Sequence, residues 1–330
     1  MRLLIYEPSF RRLEAEIAAL GPAVEPLLMS RAGDVTLNGA PVAADAVNAD
    51  AAWTNADVFF GPVARAFMVS MLKSPDLKWV QSGAAGFDNP VFQQIVQKGA
   101  KLTTSHGQAV GMADYVMWGV LDALQGGPGR RAAQAAREWA RHPFREIAGQ
   151  RWVIVGFGAI GKGVADRAHA FGAHVTGVRR NPAADPSADR IAAQGDLPAL
   201  LPETDVVVLA CPLTAETRHM ADAGFFGAMK PGSIFVNVGR GGLVDEPALL
   251  AALDNGVPEH AVLDVFETEP LPTESRFWDH PRVTLTPHSS GMSAGNTARN
   301  DALFLDNLGR FARGEPLTNE ADPKDVLAGG

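Results

Sequence analysis

A glycine-rich turn between a strand and a helix limits the fold of this chain more than any other sequence feature. The segment Gly156–Gly161 fits the pattern G-x-G-x-x-G. It follows the apolar run Trp152–Val155, opens a helical stretch, Lys162–Phe171, and is followed by a second strand-like run, His174–Val178. In this context the glycines allow a tight turn, a close approach to a pyrophosphate and close helix–strand packing. The segment therefore predicts a dinucleotide-binding unit; the alternative is a tight turn without a ligand.

Short β-branched runs alternate with longer alanine-rich stretches along the chain, which is typical of an α/β architecture with parallel sheets. Predicted strands of a first series are Arg2–Tyr6, Val58–Phe60, Trp79–Gln81 and Leu102–Thr104. Those of a second series are Trp152–Gly156, His174–Val178, Val206–Ala210, Ser233–Asn237, Glu259–Asp264 and Val283–Thr286. Helices are predicted at Phe10–Leu20, Pro62–Lys73, Pro90–Lys98, Gln108–Leu124, Arg130–Arg141 and Met292–Arg313.

The length of the chain predicts two domains. Its 330 residues exceed the size of a typical single domain. No strand is predicted after Thr286, so the last helical stretch must pack on a domain that earlier residues form. The chain therefore crosses between domains near His106 and near His288. We expect residues 1–106 and 289–330 to form one discontinuous domain, and residues 107–288 to form the dinucleotide-binding domain.

Composition excludes several classes of function. The net charge of −8 argues against a nucleic-acid partner. The single cysteine, Cys211, excludes an intrachain disulfide and a cysteine zinc cluster, and its strand setting favours a packed core thiol over a nucleophile. No His-x-x-His pair or carboxylate cluster suggests a metal site. No apolar run is long enough to be a signal-peptide core or to span a membrane, so we expect a cytoplasmic protein without a membrane partner.

Two arginines follow the second strand of the glycine-loop unit. An acidic residue roughly 20 positions beyond the loop binds the ribose 2′-hydroxyl of NAD in many such units. This chain instead has Arg179 and Arg180. Two guanidinium groups suit a 2′-phosphate through charge-assisted hydrogen bonds, so NADP is the expected cofactor and NAD remains possible. The alternative is a solvated basic strand end.

Chemically useful side chains follow three later strands. Arg240 lies in the segment Asn237–Asp245, Glu269 lies in Asp264–Pro270, and His288 follows Thr286-Pro287. Open α/β sheets place their ligands at the carboxyl ends of strands. An Arg can clamp a carboxylate, a His can transfer a proton near neutral pH, and a Glu can orient the imidazole. The set therefore suits a reaction that moves a proton and a hydride on a carboxylate-bearing substrate.

With these motifs, the sequence from about Ser82 to about Gly291 resembles the D-isomer-specific 2-hydroxyacid dehydrogenase family. The other segments that carry the resemblance are Cys211–Thr217 and Met229–Gly232. The resemblance implies two Rossmann-like domains, the smaller one flavodoxin-like, built from both chain ends and binding the substrate. It also implies that Arg240 binds the substrate's carboxylate and carbonyl, that His288 protonates the carbonyl oxygen, and that Glu269 keeps His288 protonated.

The resemblance further implies where the small molecules bind. Asp264 and the backbone around Val238 would hold the nicotinamide carboxamide, and the loop Gly83–Asp88, with Ala84, Ala85 and Gly86, would hold the substrate carboxylate. Trp53, Phe87 and Trp278 are candidates for contacts with the substrate side chain. The residues expected at the cofactor are Gly156, Gly158, Ala159, Ile160, Gly161, Arg179, Arg180, Cys211, Pro212, Thr217, Val238, Gly239, Asp264 and Gly291.

Two segments depart from the family pattern. Ala113-Asp114-Tyr115 stands where the family usually has Ala-Glu-His, and Ser289-Ser290 replaces a small apolar pair after His288. Both departures change the side chains expected near the cofactor and the domain interface, whereas the residues expected to carry the reaction are retained.

The expected function is the NADPH-dependent reduction of a small 2-oxoacid, such as glyoxylate or hydroxypyruvate, to the D-2-hydroxyacid. A nucleotide-sensing regulatory protein and a phosphoglycerate dehydrogenase-like enzyme are the alternatives. A formate-oxidising relative is disfavoured because Glu269 stands where those enzymes have Gln. A homodimer is also expected, through the apolar helix Tyr115–Leu124 and the arm Arg130–Phe144.

Overall fold

The computed structural model describes residues 1–20, 24–86 and 89–328. The chain divides into two compact units, one made of residues 1–107 with 294–330 and the other of residues 108–293. Each unit is built around one seven-stranded sheet. The expected α/β class is therefore confirmed.

The sheet of the first unit consists of β1 (Arg2–Tyr6), β2 (Glu25–Met29), β3 (Val35–Leu37), β4 (Ala40–Val42), β5 (Ala51–Thr54), β6 (Trp79–Ser82) and β7 (Lys101–Thr103). Its strand order is β4-β3-β2-β1-β5-β6-β7. The five strands β2, β1, β5, β6 and β7 pair in parallel, whereas β3 and β4 pair antiparallel at the edge. The parallel part follows the flavodoxin-like order 2-1-3-4-5.

The helices of the first unit are α1 (Glu7–Ala19), α2 (Ala56–Phe59), α3 (Ala64–Lys73), α4 (Pro90–Gln97), α11 (Asn296–Arg313) and α12 (Pro323–Ala328). Helix α11 returns from the far end of the chain and packs on this sheet. The rings of Trp53 and Phe304 stack with their centroids 4.0 Å apart. Trp53 is 1% exposed and is a core residue, so it was wrongly predicted to face a substrate.

One predicted strand of the first unit is wrong. Residues predicted as the strand Val58–Phe60 form the short helix α2, and the strand that fills this place is β5. The side chain of Asn55 accepts a hydrogen bond from the backbone N–H of Val58 at 3.2 Å and starts the helix. An asparagine cap of this kind outweighs the β propensity of the apolar residues that follow it.

The sheet of the second unit consists of β8 (Arg151–Val155), β9 (His174–Val178), β10 (Arg190–Ala192), β11 (Val206–Leu209), β12 (Ile234–Asn237), β13 (His260–Leu263) and β14 (Val283–Leu285). Its order is β10-β9-β8-β11-β12-β13-β14, with every pairing parallel. This is the Rossmann order 3-2-1-4-5-6 with one further strand. The order changes direction between β8 and β11, where such sheets bind their ligands.

The helices of the second unit are α5 (Ala109–Leu124), α6 (Gly127–Ala136), α7 (Ala159–Ala170), α8 (Leu197–Leu200), α9 (Ala223–Ala228) and α10 (Glu246–Asp254). Strands β11, β12 and β13 are buried along their whole length, as expected for a parallel sheet covered on both faces. Among the described residues, no helix is long and apolar enough to cross a membrane.

Candidate active site

The glycine loop has the geometry that the sequence pattern predicts. Gly156 directly follows β8 and has φ +93°, and a Cβ there would lie 2.4 Å from the backbone nitrogen of Cys211. A Cβ on Gly161 would lie 2.4 Å from the carbonyl oxygen of Gly156, so this glycine allows α7 to pack against the turn. Each position therefore excludes a larger residue for a different steric reason.

The middle glycine faces open space. A Cβ on Gly158 would have no neighbour within 4 Å, although Gly158 directly precedes Ala159 and Ile160 in the first turn of α7. Backbone N–H groups at a helix N-terminus bind anions, and open space above them admits a pyrophosphate. The loop therefore fits a bound dinucleotide.

A compact set of charges lies beyond the carboxyl end of β9. Asp185 has a side chain only 7% exposed, 2.8 Å from Nζ of Lys162 and 3.5 Å from Nη1 of Arg179. The hydrogen bond from Lys162 is the main cause of a lowered pKa of Asp185, and the charge of Arg179 adds to it. Arg179 also donates to the carbonyl of Ala183. Arg179 was predicted as a cofactor contact; Lys162 and Asp185 were missed, since neither lies in the motif.

The segment after β11 forms a second wall beside the glycine loop. Cys211 is buried beside Met220, with their sulfur atoms 3.9 Å apart, and burial raises the pKa of the thiol to about 12. This agrees with the expected core thiol, because so weak an acid is a poor nucleophile. Thr217 donates to the carbonyl of Pro212 at 2.9 Å and accepts from the N–H of Thr214 at 2.7 Å, which closes the loop.

The loop that carries Arg240 is held by Asn237, the last residue of β12. The Asn237 side chain donates to the carbonyl of Arg240 and accepts from the N–H of Gly239, both at 3.0 Å. Nη1 of Arg240 donates to the carbonyl of Gly239 at 2.8 Å. The buried Val238 donates its N–H to Leu209 of β11 at 3.0 Å.

Gly241 brings this loop against the segment after β13. A Cβ at this position would lie 1.9 Å from the carbonyl carbon of Phe266. Any larger residue would separate the Arg240 loop from the Glu269 segment. The role of Gly241 could not be predicted, because a glycine inside a motif does not reveal which backbone it approaches.

The structure brings His288 and Glu269 together. Nδ1 of His288 lies 2.8 Å from Oε2 of Glu269, and the other carboxylate oxygen accepts the N–H of Phe266 at 2.9 Å. Half of the His288 side chain is exposed. Arg240, Glu269 and His288 follow the adjacent strands β12, β13 and β14 at one edge of the sheet. The geometry is that of an imidazole oriented by a carboxylate, with its second nitrogen available for proton transfer.

A second His–Glu pair uses the neighbouring glutamate. Nε2 of His219 contacts Glu267, whose N–H donates to the Glu246 carboxylate at 2.8 Å. Burial raises the pKa of Glu246, and the carboxylates of Glu267 and Glu269 raise it further. His219 is thus a second imidazole paired with a carboxylate near the Glu269 segment.

Asp264 directly follows β13 and is completely buried. Its carboxylate is surrounded by N–H and O–H groups of the segment that follows β14. Gly291 closes the same segment, where a Cβ would lie 3.1 Å from Cβ of Gln108 at the start of α5. The predicted contact of the Asp264 region with a nicotinamide remains a prediction.

The predicted substrate loop lies at the carboxyl end of β6 in the first unit. The N–H of Ala84 donates to Oγ of Ser82 at 3.0 Å, and the carbonyl of Ala84 accepts from the N–H of Ser105 at 2.9 Å. Ala85 and Gly86 are partly exposed. Phe87 and Asp88 lie outside the described residues.

Two remaining expectations concern Trp278 and metals. Trp278 is 46% exposed and donates its indole N–H to the carbonyl of Pro272 at 2.9 Å. Within residues 1–20, 24–86 and 89–328, no group of three or more His, Cys, Asp or Glu side chains could hold a metal ion.

Comparison with known proteins identifies the class of protein that this fold and site define. Residues 117–290 match the family model "D-isomer specific 2-hydroxyacid dehydrogenase, NAD binding domain". The chain therefore belongs to the D-isomer specific 2-hydroxyacid dehydrogenase family, as the motifs indicated. It is an NAD(P)-dependent oxidoreductase.

Individual relatives have related activities. The chain is 35% identical over 270 residues to glyoxylate/hydroxypyruvate reductase B of Salmonella newport, covering 76% of this chain and 80% of that protein. It is 33% identical over 244 residues to (S)-sulfolactate dehydrogenase of Chromohalobacter salexigens, covering 73% and 79%. The chain also resembles a solved structure, an NADPH-dependent glyoxylate/hydroxypyruvate reductase from Sinorhizobium meliloti in complex with NADP and sulfate. This match covers 100% of both chains, with a TM-score of 0.78 and 28% identity.

Proposed function

We propose that this protein reduces a small 2-oxoacid to the D-2-hydroxyacid with NADPH, and that His288 donates the proton. The observation that carries the proposal is the 2.8 Å contact between Nδ1 of His288 and Oε2 of Glu269, at the edge of the sheet that also carries Arg240. When bound, a reduced nicotinamide would supply the hydride for reduction of the keto carbon. The residues of the chain bind the substrate and supply the proton that the new alkoxide needs.

Each residue has a distinct part in this reaction. Arg240 binds the carboxylate and polarises the keto oxygen with a guanidinium that remains charged. Glu269 stabilises the charged imidazole and accepts a hydrogen bond from its Nδ1–H group. Nε2 of His288 then gives its proton to the keto oxygen as the hydride arrives. The sum is one 2-oxoacid, one NADPH and one proton consumed, and one 2-hydroxyacid and one NADP⁺ formed.

We place the dinucleotide on the second unit and the substrate carboxylate on the Ala84–Gly86 loop of the first unit. The open space over Gly158 supports the first assignment. Cofactor contacts are proposed for Gly156, Gly158, Ala159, Ile160, Gly161, Arg179, Arg180, Cys211, Pro212, Thr217, Val238, Gly239, Asp264 and Gly291. The preference for NADPH is supported by Arg179, by the adjacent Lys162 and by the NADP complex of the Sinorhizobium relative.

A substrate screen tests the proposal. Glyoxylate, hydroxypyruvate, 3-phosphohydroxypyruvate and the 2-oxo counterpart of sulfolactate are each assayed with NADPH and NADH, and the product configuration is determined. We expect turnover of a small 2-oxoacid with NADPH preferred and a D product. Turnover of the phosphorylated substrate alone, with NADH preferred, would favour the phosphoglycerate dehydrogenase-like alternative. Nucleotide binding without turnover of any 2-oxoacid would favour the regulatory alternative.

We further propose a homodimer formed through the segment α5–α6 and the residues up to Phe144. Trp139 is 97% exposed, and Trp118 and Phe144 are about half exposed, which is unusual for large apolar side chains of one segment. Sedimentation at micromolar concentration should give twice the 34.9 kDa chain mass. Trp139→Ala should weaken the association, and a monomer under all conditions would contradict the proposal. The cytoplasmic location remains a prediction.

A further inference from the structure

The Asp264 carboxylate is surrounded by donors from the segment Thr286–Ser290. Oδ1 accepts from the hydroxyl of Thr286 at 2.6 Å, from the N–H of Ser289 at 2.8 Å and from the N–H of Ser290 at 3.1 Å. Oδ2 accepts from the same Ser290 N–H at 3.1 Å and from the Ser290 hydroxyl. A buried carboxylate needs such donors, because isolated charge is costly in a protein interior.

These donors occupy the lone-pair sites of the Asp264 carboxylate. Two carboxylate oxygens offer about four lone-pair sites, and here the donors come from three residues of one short segment. The side chain of Asp264 therefore serves this segment, and it ties β13 to the residues that follow β14.

A third element joins through Tyr115 on α5. The Thr286 hydroxyl has one proton, which it donates to Asp264, so it must accept from the Tyr115 hydroxyl, 2.8 Å away. Burial raises the pKa of Tyr115, which keeps the phenol protonated and able to donate. The chain of hydrogen bonds thus runs from Tyr115 through Thr286 to Asp264.

His288 lies inside this segment in an unusual backbone conformation. Its φ is +50°, in the left-handed region that residues other than glycine seldom occupy. The N–H of His288 donates to the carbonyl of Asp264 at 2.8 Å and to that of Thr286 at 3.0 Å. Such a conformation persists where surrounding contacts over-determine it. The hydrogen bonds to both the main chain and the side chain of Asp264 supply these contacts.

We propose that Ser290 and Tyr115 are positioning residues for His288. The Ser290 hydroxyl donates directly to the Asp264 carboxylate, and the Tyr115 hydroxyl acts on it through Thr286. Asp264 in turn fixes the turn that aims the imidazole. The proposal rests on the proposed function in one respect, that His288 carries the proton.

The test removes one hydroxyl at a time, in Ser290→Ala and Tyr115→Phe. Each variant should lower kcat about tenfold, because small misplacements of a catalytic group are costly. The Kd for NADPH should change less than kcat, about twofold, because neither Ser290 nor Tyr115 is itself a proposed cofactor contact. Ser290→Thr, which keeps the hydroxyl, should recover most of the lost kcat.

A second readout does not depend on activity. In histidine-labelled protein the imidazole resonance of His288 is assigned by its loss in His288→Ala. It should shift or broaden in Ser290→Ala and in Tyr115→Phe. The resonances of the other histidines should stay in place, which distinguishes repositioning from general unfolding.

Ser233 provides a matched control. Its hydroxyl is also buried in the second unit but has no hydrogen-bond partner in the described part of the chain. Ser233→Ala should leave both kcat and the His288 resonance unchanged. The inference is wrong if Ser290→Ala and Tyr115→Phe behave like Ser233→Ala while His288→Ala is inactive. If His288→Ala itself remains active, the proposed function fails, and the resonance shift still decides whether the two hydroxyls position the ring.

Discussion

His288 and Glu269 form a pair whose orientation is fixed by a backbone hydrogen bond to Glu269. One oxygen of Glu269 accepts the N–H of Phe266 at 2.9 Å, and the other lies 2.8 Å from Nδ1 of His288. The carboxylate therefore cannot rotate without breaking a backbone hydrogen bond. Because a carboxylate only accepts, Nδ1 carries a proton, and Nε2 is the nitrogen left for the proposed proton transfer.

Replacing His288 by alanine tests the proton donor. His288→Ala should lower kcat for 2-oxoacid reduction by about 10²–10⁴-fold, the usual loss when a general acid is removed. His219→Gln is the matched variant, since His219 pairs with the neighbouring Glu267. It should retain most of the activity. The opposite pattern, with His219→Gln inactive and His288→Ala active, would transfer the role to His219.

Replacing Glu269 by glutamine tests the carboxylate. The amide keeps an oxygen that can accept the Phe266 N–H but loses the charge that stabilises the protonated imidazole. Reduction requires a proton on the ring, so Glu269→Gln should lower kcat by about 10–100-fold. The thermal unfolding midpoint should change little, because the Phe266 N–H keeps an acceptor. An unchanged kcat would show that the charge of Glu269 is not needed for proton transfer.

The second unit was predicted well from the sequence because its signals are local. Buried parallel strands read as continuous apolar runs, and strand ends mark the places where side chains of a site converge. Arg240, Glu269 and His288 could thus be placed after the carboxyl ends of three strands before any geometry was known. The chain of hydrogen bonds from Tyr115 to Asp264 could not be predicted, because it joins residues far apart in sequence.

The first unit was predicted less well. The edge strands β3 and β4 are only three residues long and pair antiparallel, so they give little periodic signal. The strand β5 reads Ala-Ala-Trp-Thr, which lacks the β-branched run that sequence patterns detect. Its burial between β1 and β6 depends on tertiary packing. A local propensity cannot report that packing.

Reversing the charge at Arg179 tests the cofactor preference. Each charge-assisted hydrogen bond to a 2′-phosphate is worth roughly 1.5–3 kcal/mol. A total of ~2.7 kcal/mol corresponds to about a hundredfold preference for NADPH. Arg179→Asp should therefore weaken NADPH use and improve NADH use, because a carboxylate can accept from the 2′-hydroxyl. Equal kcat/KM for both cofactors in the wild-type enzyme would show that Arg179 does not bind the 2′-phosphate.

Asp185 should oppose NADPH binding. Its carboxylate already forms ion pairs with Lys162 at 2.8 Å and with Arg179 at 3.5 Å. The lowered pKa of Asp185 keeps this carboxylate charged at neutral pH. A 2′-phosphate would compete for the same cations and be repelled by the same carboxylate. Asp185→Asn should tighten NADPH binding about three- to tenfold and leave NADH binding unchanged. Asp254→Asn, which breaks the ion pair with Arg276, is the control. Weaker NADPH binding would show that Asp185 aligns Arg179 for the phosphate.

His260 should make stability depend on pH. It is 8% exposed on β13, its Nε2 lies 2.9 Å from Oγ1 of Thr284, and burial lowers its pKa to about 4. In the unfolded chain a histidine titrates near ~6.5.

Between these two values the unfolded state binds a proton that the folded state does not. The stabilisation is therefore complete above about pH 6.5 and is lost as the pH falls toward 4. Lowering the pH from 7.5 to 5 should cost about 2 kcal/mol of unfolding free energy from this group alone. The measurement is urea unfolding of the wild type and of His260→Gln at both pH values. The variant should lose less stability on acidification, whatever its stability at pH 7.5, because glutamine does not titrate. Parallel losses in the two proteins would mean that other groups account for the acid sensitivity.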